Sequence, residues 1–324
     1  MVRAKMAALF AALLLLLVSC TSTASEYAVS SAIEFDGEAA RTRVIVSSRF
    51  AQKVFLDKTI NLEPNTSALE ALKSVANVDT RHGGGFVQDI NGLRSQYGGG
   101  NSDWFLYVNG IQTKTGGAGY ILAPADIQQW DFHNWGFHTF TPAIIGSFPE
   151  PFLHGYEGKV RRTLVVYEKE FVREAESVAA KLIEAGVGTV STMEIDQLAS
   201  NEKSSANLIL VGTMNLELIS ELNKIGKRMG FFTRFDEDGL VILNDEGETS
   251  RRFFTGTGLI QATQNPWNPK GIGACENVVW MVSGTDESGV KLAADTILNQ
   301  PEELEYLFAA VVTQEEIMPV PPVE

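Results

Sequence analysis

The chain has 324 residues, 44% of them apolar, and a formal net charge of −14 at pH 7. That acidity repels nucleic acid and anionic lipid heads, which excludes DNA and RNA as partners. Two cysteines are too few for a disulfide scaffold, and His82, His133, His138 and His154 lack metal-ligand spacing, so no metal site is expected.

In chain order, Arg3 and Lys5 precede an apolar run from Ala7 to Val18 that closes on Leu17-Val18-Ser19-Cys20. The run is shorter than the roughly 20 residues a membrane span needs, and small residues stand before the cysteine. The pattern resembles a bacterial lipoprotein signal. The resemblance implies that residues 1–19 are a signal peptide and that Cys20 carries the lipid, palmitate included. The protein would then be extracytoplasmic, held at a membrane or cell surface by its anchor. Removing residues 1–19 takes away Arg3 and Lys5 and no acid, so −14 becomes −16. Residues 20–41 are mostly small and polar after Cys20 and read as a flexible tether. With Cys20 lipidated, Cys275 has no intrachain disulfide partner.

About 300 further residues suit two domains. In the first, 42–135, Arg43 to Ser48 and Lys53 to Leu62 alternate as strands. Ser67-Ala68-Leu69-Glu70 is a capping-box signature, and Leu69, Leu72 and Val75 continue as a helix face. Glycine-rich stretches at Gly83–Gly85 and Gly98–Gly100 flank further strands, and Asn109-Gly110 is a hairpin signal. Ile127 to Phe132 is a last strand. Two strands, a helix and more strands is the order of a β-grasp unit.

Residues 136–160 carry Pro142, Pro149 and Pro151 among many aromatics and read as a linker. The second domain, 161–312, alternates apolar strands (Thr163 to Tyr167, Asn207 to Val211, Asn277 to Val282) with helical patterns, interrupted by a strand-rich insert near Phe231 to Thr263. The expectation is a three-layer α/β domain with a largely parallel sheet. Asp236 to Gly239 reads as a hairpin turn. Gly212 to Asn215 and Ser283 to Asp286 follow strands and open helices; they match no phosphate-loop fingerprint and read as capping by Asn215 and Asp286. Residues 313–324 read as a Pro-rich tail without a packing signal. The fold class expected overall is α+β followed by α/β.

The first domain resembles the transcobalamin C-terminal-like family of ligand-binding β-grasp domains. Ser67 to Leu72, Gly84-Gly85-Phe86-Val87, Ile90-Asn91-Gly92, Trp104 to Gly110, Tyr120, Ala125-Asp126-Ile127 and Trp130 carry the resemblance, with Ala-Asp where the family usually has Gly-Asp. In transcobalamin this domain is one of two jaws that hold cobalamin. The other jaw is an all-helical barrel, and this chain has no such helical array. The resemblance therefore implies capture of a small molecule, cobalamin or another corrinoid included, for hand-over to a transporter or envelope partner. No other cofactor is required.

Side chains alternate across a strand. Trp104, Leu106 and Val108 share one face, and Phe105, Tyr107 and Asn109 the other. Aromatics on both faces exceed the needs of one small core, which points to an exposed aromatic ligand surface. The candidate binding residues are Trp104, Tyr107, Asn109, Trp130, Phe132 and His133, bordered by the Gly98–Gly100 loop. No Gly-x-Ser-x-Gly elbow occurs and Cys275 has no local histidine, so no enzyme activity is expected. The rival expectation is a structural or adhesive envelope protein whose β-grasp domain binds a protein or glycan.

Overall fold

The computed structural model describes residues 39–82, 85–95 and 100–323. Cys20, the signal segment and nearly all of the tether lie outside the described residues.

The first hairpin is β1 (Arg41–Ser48) and β2 (Lys53–Asn61). The capping box then forms as its spacing dictates: Glu70 N donates to Ser67 Oγ at 3.2 Å and Ser67 N donates to Glu70 Oε2 at 2.8 Å. It starts α1 (Ala68–Lys73), whose Ala68, Leu69, Ala71 and Leu72 are buried. Next come β3 (Val78–Arg81), β4 (Phe86–Ile90) and β5 (Leu93–Arg94), which make a small antiparallel sheet. Then β6 (Ser102–Val108), β7 (Ile111–Gln112) and β8 (Ile127–Asn134) complete a five-stranded sheet ordered β2-β1-β8-β6-β7. Within it β1 and β8 run parallel, and the other pairs are antiparallel. Asn109 and Gly110 take φ of 51° and 73°, the left-handed turn that their dipeptide predicts.

The second half begins with β9 (Thr163–Tyr167), α2 (Val172–Glu184), β10 (Val190–Glu194), α3 (Ser200–Ser205), β11 (Asn207–Thr213) and α4 (Glu217–Lys224). A three-stranded insert follows, β12 (Thr233–Asp236), β13 (Gly239–Leu243) and β14 (Thr249–Phe253). Then come β15 (Gly258–Gln264), β16 (Val278–Gly284), α5 (Glu287–Asn299), β17 (Ala309–Val312) and β18 (Ile317–Val320). The large sheet is ordered β10-β9-β11-β16-β15-β17-β18. Strands β10, β9, β11 and β16 are mutually parallel, whereas β15, β17 and β18 pair antiparallel, so the sheet is mixed. The chain is thus a strand-rich mixed α/β protein with several sheets and few helices.

Two local expectations are corrected. The stretch read as a Pro-rich tail, 313–324, is not loose over its described residues 313–323: Ile317–Val320 pairs with β17, and Met318 and Val320 are buried. Their apolar side chains outweigh Pro319, which an edge strand tolerates. Asp286 does cap α5, accepting from Gly289 N at 3.0 Å, but α4 has Leu216 at its N-cap and no capping by Asn215. Glu168 instead meets the end of β11, accepting from Thr213 N at 2.7 Å.

The aromatic faces of β6 are both buried. Trp104, Leu106 and Val108 join Val44, Val46, Leu69, Leu72 and Trp130 in one core. Tyr107 joins Phe50, Ile144, Phe232 and Phe308 in another, with Phe105 packed against it. The stretch read as a linker lies between the halves: Ala143, Ile144, Ile145 and Phe152 are buried, and the Phe152 ring meets Trp280 at 5.3 Å. Gly146 passes so close to the Tyr306 backbone that a Cβ there would lie 2.2 Å from its carbonyl carbon. Residues 38–324 accordingly form one compact unit.

A titratable network lies where β8 begins. Asn109 Nδ2 donates to Asp126 Oδ1 at 2.8 Å and to Gly155 O at 2.7 Å, and Ala123 N donates to Asp126 Oδ2 at 2.8 Å. Burial, with Glu150 adding repulsion, pushes the Asp126 carboxyl up to about 6 from its ordinary 3.8. His154, hydrogen-bonded through Nδ1 to the buried Glu150, is raised by that partner. Both groups are raised in the folded state, so both stabilise it at low pH and lose that contribution as pH rises through their folded values. Thermal melts should therefore show Tm rising as pH falls from about 8 to about 4, with His154 acting in the upper part of that range and Asp126 supplying on the order of 3 kcal/mol between about 6 and about 4. Below about 4 the trend should reverse, because Asp57 is held below the usual carboxylate range by Arg43. The Asp126→Asn variant should flatten the slope between about 4 and 6; an unchanged slope would show that Asp126 titrates normally.

Candidate functional site

One concave site gathers residues of the first sheet. A cleft of about 260 Å³ is lined by Gly85, Phe86 and Val87 at the start of β4, by Trp104, Phe105 and Leu106 of β6, by Trp130 of β8, and by residues 112–117 after β7. The indoles form its floor. Trp104 Nε1 donates to Leu93 O at 3.1 Å and Trp130 Nε1 donates to Gln128 Oε1 at 2.8 Å, so both polar edges are satisfied inside the protein. The rings are therefore fixed, and what they offer the cleft is apolar surface.

The rim is a run of small and polar residues, Thr113-Lys114-Thr115-Gly116-Gly117. Thr113 Oγ1 donates to Thr115 O at 2.8 Å, and Leu69 N donates to Gly117 O at 3.0 Å, which ties the rim to α1. Gly117 is required by packing. A Cβ at this position would lie 2.5 Å from Cη2 of Trp130. Gly116 approaches the backbone of Gly85 as closely, with a Cβ position 2.5 Å from its carbonyl oxygen. The two glycine-rich segments thus meet across the cleft.

Of the residues expected to bind, Trp104 and Trp130 come together here. The exposure expected of them is not observed, since they are only 7% and 3% accessible. Phe132 packs beside Trp104 at 5.2 Å, on the same side of the sheet. Tyr107 and His133 point to the opposite side and are buried. The His133 ring stacks between Phe50 at 4.4 Å and Phe105 at 4.3 Å, and its Nδ1 hydrogen-bonds Asp131 Oδ1 at 2.8 Å. It has the environment of a core residue, with no open side for a ligand. Asn109 is buried in the Asp126 network. Of the Gly98–Gly100 loop only Gly100 is among the described residues. The rim at 112–117 was not anticipated; its Thr-Lys-Thr-Gly-Gly composition was the available signal.

Among the described residues no group of three or more His, Cys, Asp or Glu side chains is placed to hold a metal ion. Cys275 is buried, and burial pushes its thiol above the ordinary range, which opposes thiolate chemistry. No helix among the described residues is long and apolar enough to cross a membrane.

Residues 65–134, which supply every residue that lines this cleft, match a family described as a domain of unknown function, DUF4430. No curated protein matches the chain. Among solved structures, a candidate metal-binding protein from Ruminococcus gnavus is similar with a TM-score of 0.24 and 12% identity, over 29% of this chain and 97% of that one. Haptocorrin in complex with Cbi is similar with a TM-score of 0.25 and 15% identity, over 30% of this chain and 26% of that one. The chain therefore spans about a quarter of that haptocorrin chain.

Proposed function

We propose that this protein is an extracytoplasmic ligand-binding lipoprotein, anchored through Cys20, whose β-grasp domain holds a small molecule in the Trp104–Trp130 cleft for hand-over to a transporter or envelope partner. The observation that carries the reading is the convergence of β4, β6, β8 and the 112–117 rim on one concave, indole-floored space. A concave space in which a few polar groups converge is a common form of a small-molecule site. Binding rather than catalysis is favoured by the deep burial of Cys275 and His133, which leaves neither accessible as a nucleophile or base.

The cleft's size narrows the mode of binding. At about 260 Å³ it is smaller than the roughly 300–1,000 Å³ of sites that enclose a drug-sized ligand. It would grip an edge or a protruding group of a corrinoid, leaving the rest of the macrocycle outside. Cobalamin is the first ligand to try because residues 67–130 resemble the transcobalamin domain.

Calorimetric titration with cyanocobalamin should give a saturable isotherm. The Thr115→Trp substitution, which fills the mouth of the cleft, should weaken it at least about tenfold without lowering Tm, since Thr115 is exposed. No heat with the wild-type protein would remove corrinoids as the ligand, and an isotherm indifferent to Thr115→Trp would place binding elsewhere. For the anchor, cells fed labelled palmitate should label the wild-type protein and leave the Cys20→Ala variant unlabelled. Label on that variant would overturn the lipoprotein reading.

A further inference from the structure

Lys114 is the single charged residue lining the cleft among the described residues. Its ammonium is only loosely engaged, 3.6 Å from Glu157 Oε1 and 5.5 Å from the centre of the Tyr156 ring. Glu157 has a closer partner, Lys159 Nζ at 3.0 Å. The Glu157 carboxyl is held below its usual range first by Lys159, with Lys114 a smaller contributor. Lys114 can therefore leave Glu157 without stranding a carboxylate. A lysine held in this way is a reserve cation at the edge of an otherwise uncharged, aromatic-floored site.

We infer that the cleft selects a ligand that joins a flat apolar body to an anionic group, with Lys114 supplying the charge recognition. The inference rests on the binding reading above and adds the chemical class of the ligand. The body enters the cleft beside Phe86, over the narrow strips of Trp104 and Trp130 that stay accessible, while the anionic group meets Lys114 at the rim. The charge of the whole chain, −14, repels anions, so selectivity for one has to come from a local cation. Lys114 is exposed, which limits the expected gain to about a factor of ten.

Two dyes with the same ring system separate the possibilities: anilinonaphthalene sulfonate, which is anionic, and phenylnaphthylamine, which is not. Titrated calorimetrically into the full chain, the sulfonate should bind about tenfold more tightly than its neutral analogue, and added salt should weaken the sulfonate alone. Lys114→Met should erase the preference and leave the neutral dye unaffected, and Lys159→Met, which leaves Glu157 to hold Lys114, should reduce it. Equal affinities, or a preference that survives Lys114→Met, would overturn the inference while leaving the cleft a binding site. If Thr115→Trp displaces neither dye, the cleft itself is not the site, and the binding reading fails with the inference.

Discussion

The packing of the whole unit depends on how Asp131 holds the turn between β1 and β2. Arg49, Phe50 and Ala51 take φ of 60°, 56° and 64°, three successive left-handed residues with no glycine among them. Each such residue costs roughly 1–2 kcal/mol. The buried Asp131 carboxyl offsets this by accepting from Phe50 N at 3.1 Å and Ala51 N at 2.9 Å, as well as from Ser47 Oγ at 2.6 Å. Those backbone donors have no strand partner in a left-handed turn, so without the carboxyl they would be buried and unpaired. The result is to aim Phe50 inward, where its ring meets His133, Phe232 and Phe308 at 4.4, 5.0 and 5.2 Å.

That placement explains the surplus of aromatics on the first sheet. One face covers α1 and carries the indoles that floor the cleft. The other is the surface on which the second half of the chain packs, through Phe232, Phe308 and the buried stretch around Ile144. The cleft is left at the side of the sheet away from this junction. Its walls are set by close glycine contacts and satisfied indole N–H groups, so its shape is fixed by packing. Such preformed sites lose little entropy when a ligand arrives.

Much of the local structure was legible in the residues. Ser67 and Glu70 announced α1, Asn109-Gly110 announced a turn, and the alternation from Trp104 to Val108 correctly divided two faces. The identity of the partner for the second face was not legible. Tyr107 finds Phe308, some two hundred positions away, and no local pattern encodes that contact. Pro142, Pro149 and Pro151 suggested an open connector, yet the apolar residues among them are buried. The left-handed Arg49-Phe50-Ala51 turn carries no glycine or asparagine signal, because its cause is a side chain eighty residues downstream. The same limitation affected the site: the tryptophans were visible as candidates, whereas the rim that makes a cleft of them is defined only by tertiary packing.

The most direct test of this account is the equilibrium unfolding of the full chain and of the Asp131→Ala variant in urea, followed by tryptophan fluorescence and far-ultraviolet circular dichroism. Because the halves share a core around Phe50 and His133, both probes should report one coincident transition. Because Asp131→Ala leaves two backbone donors unpaired, that transition should move as a whole, by about 3 kcal/mol or more. Two separated transitions, with Asp131→Ala shifting only one of them, would contradict the shared core and return the chain to two independent domains.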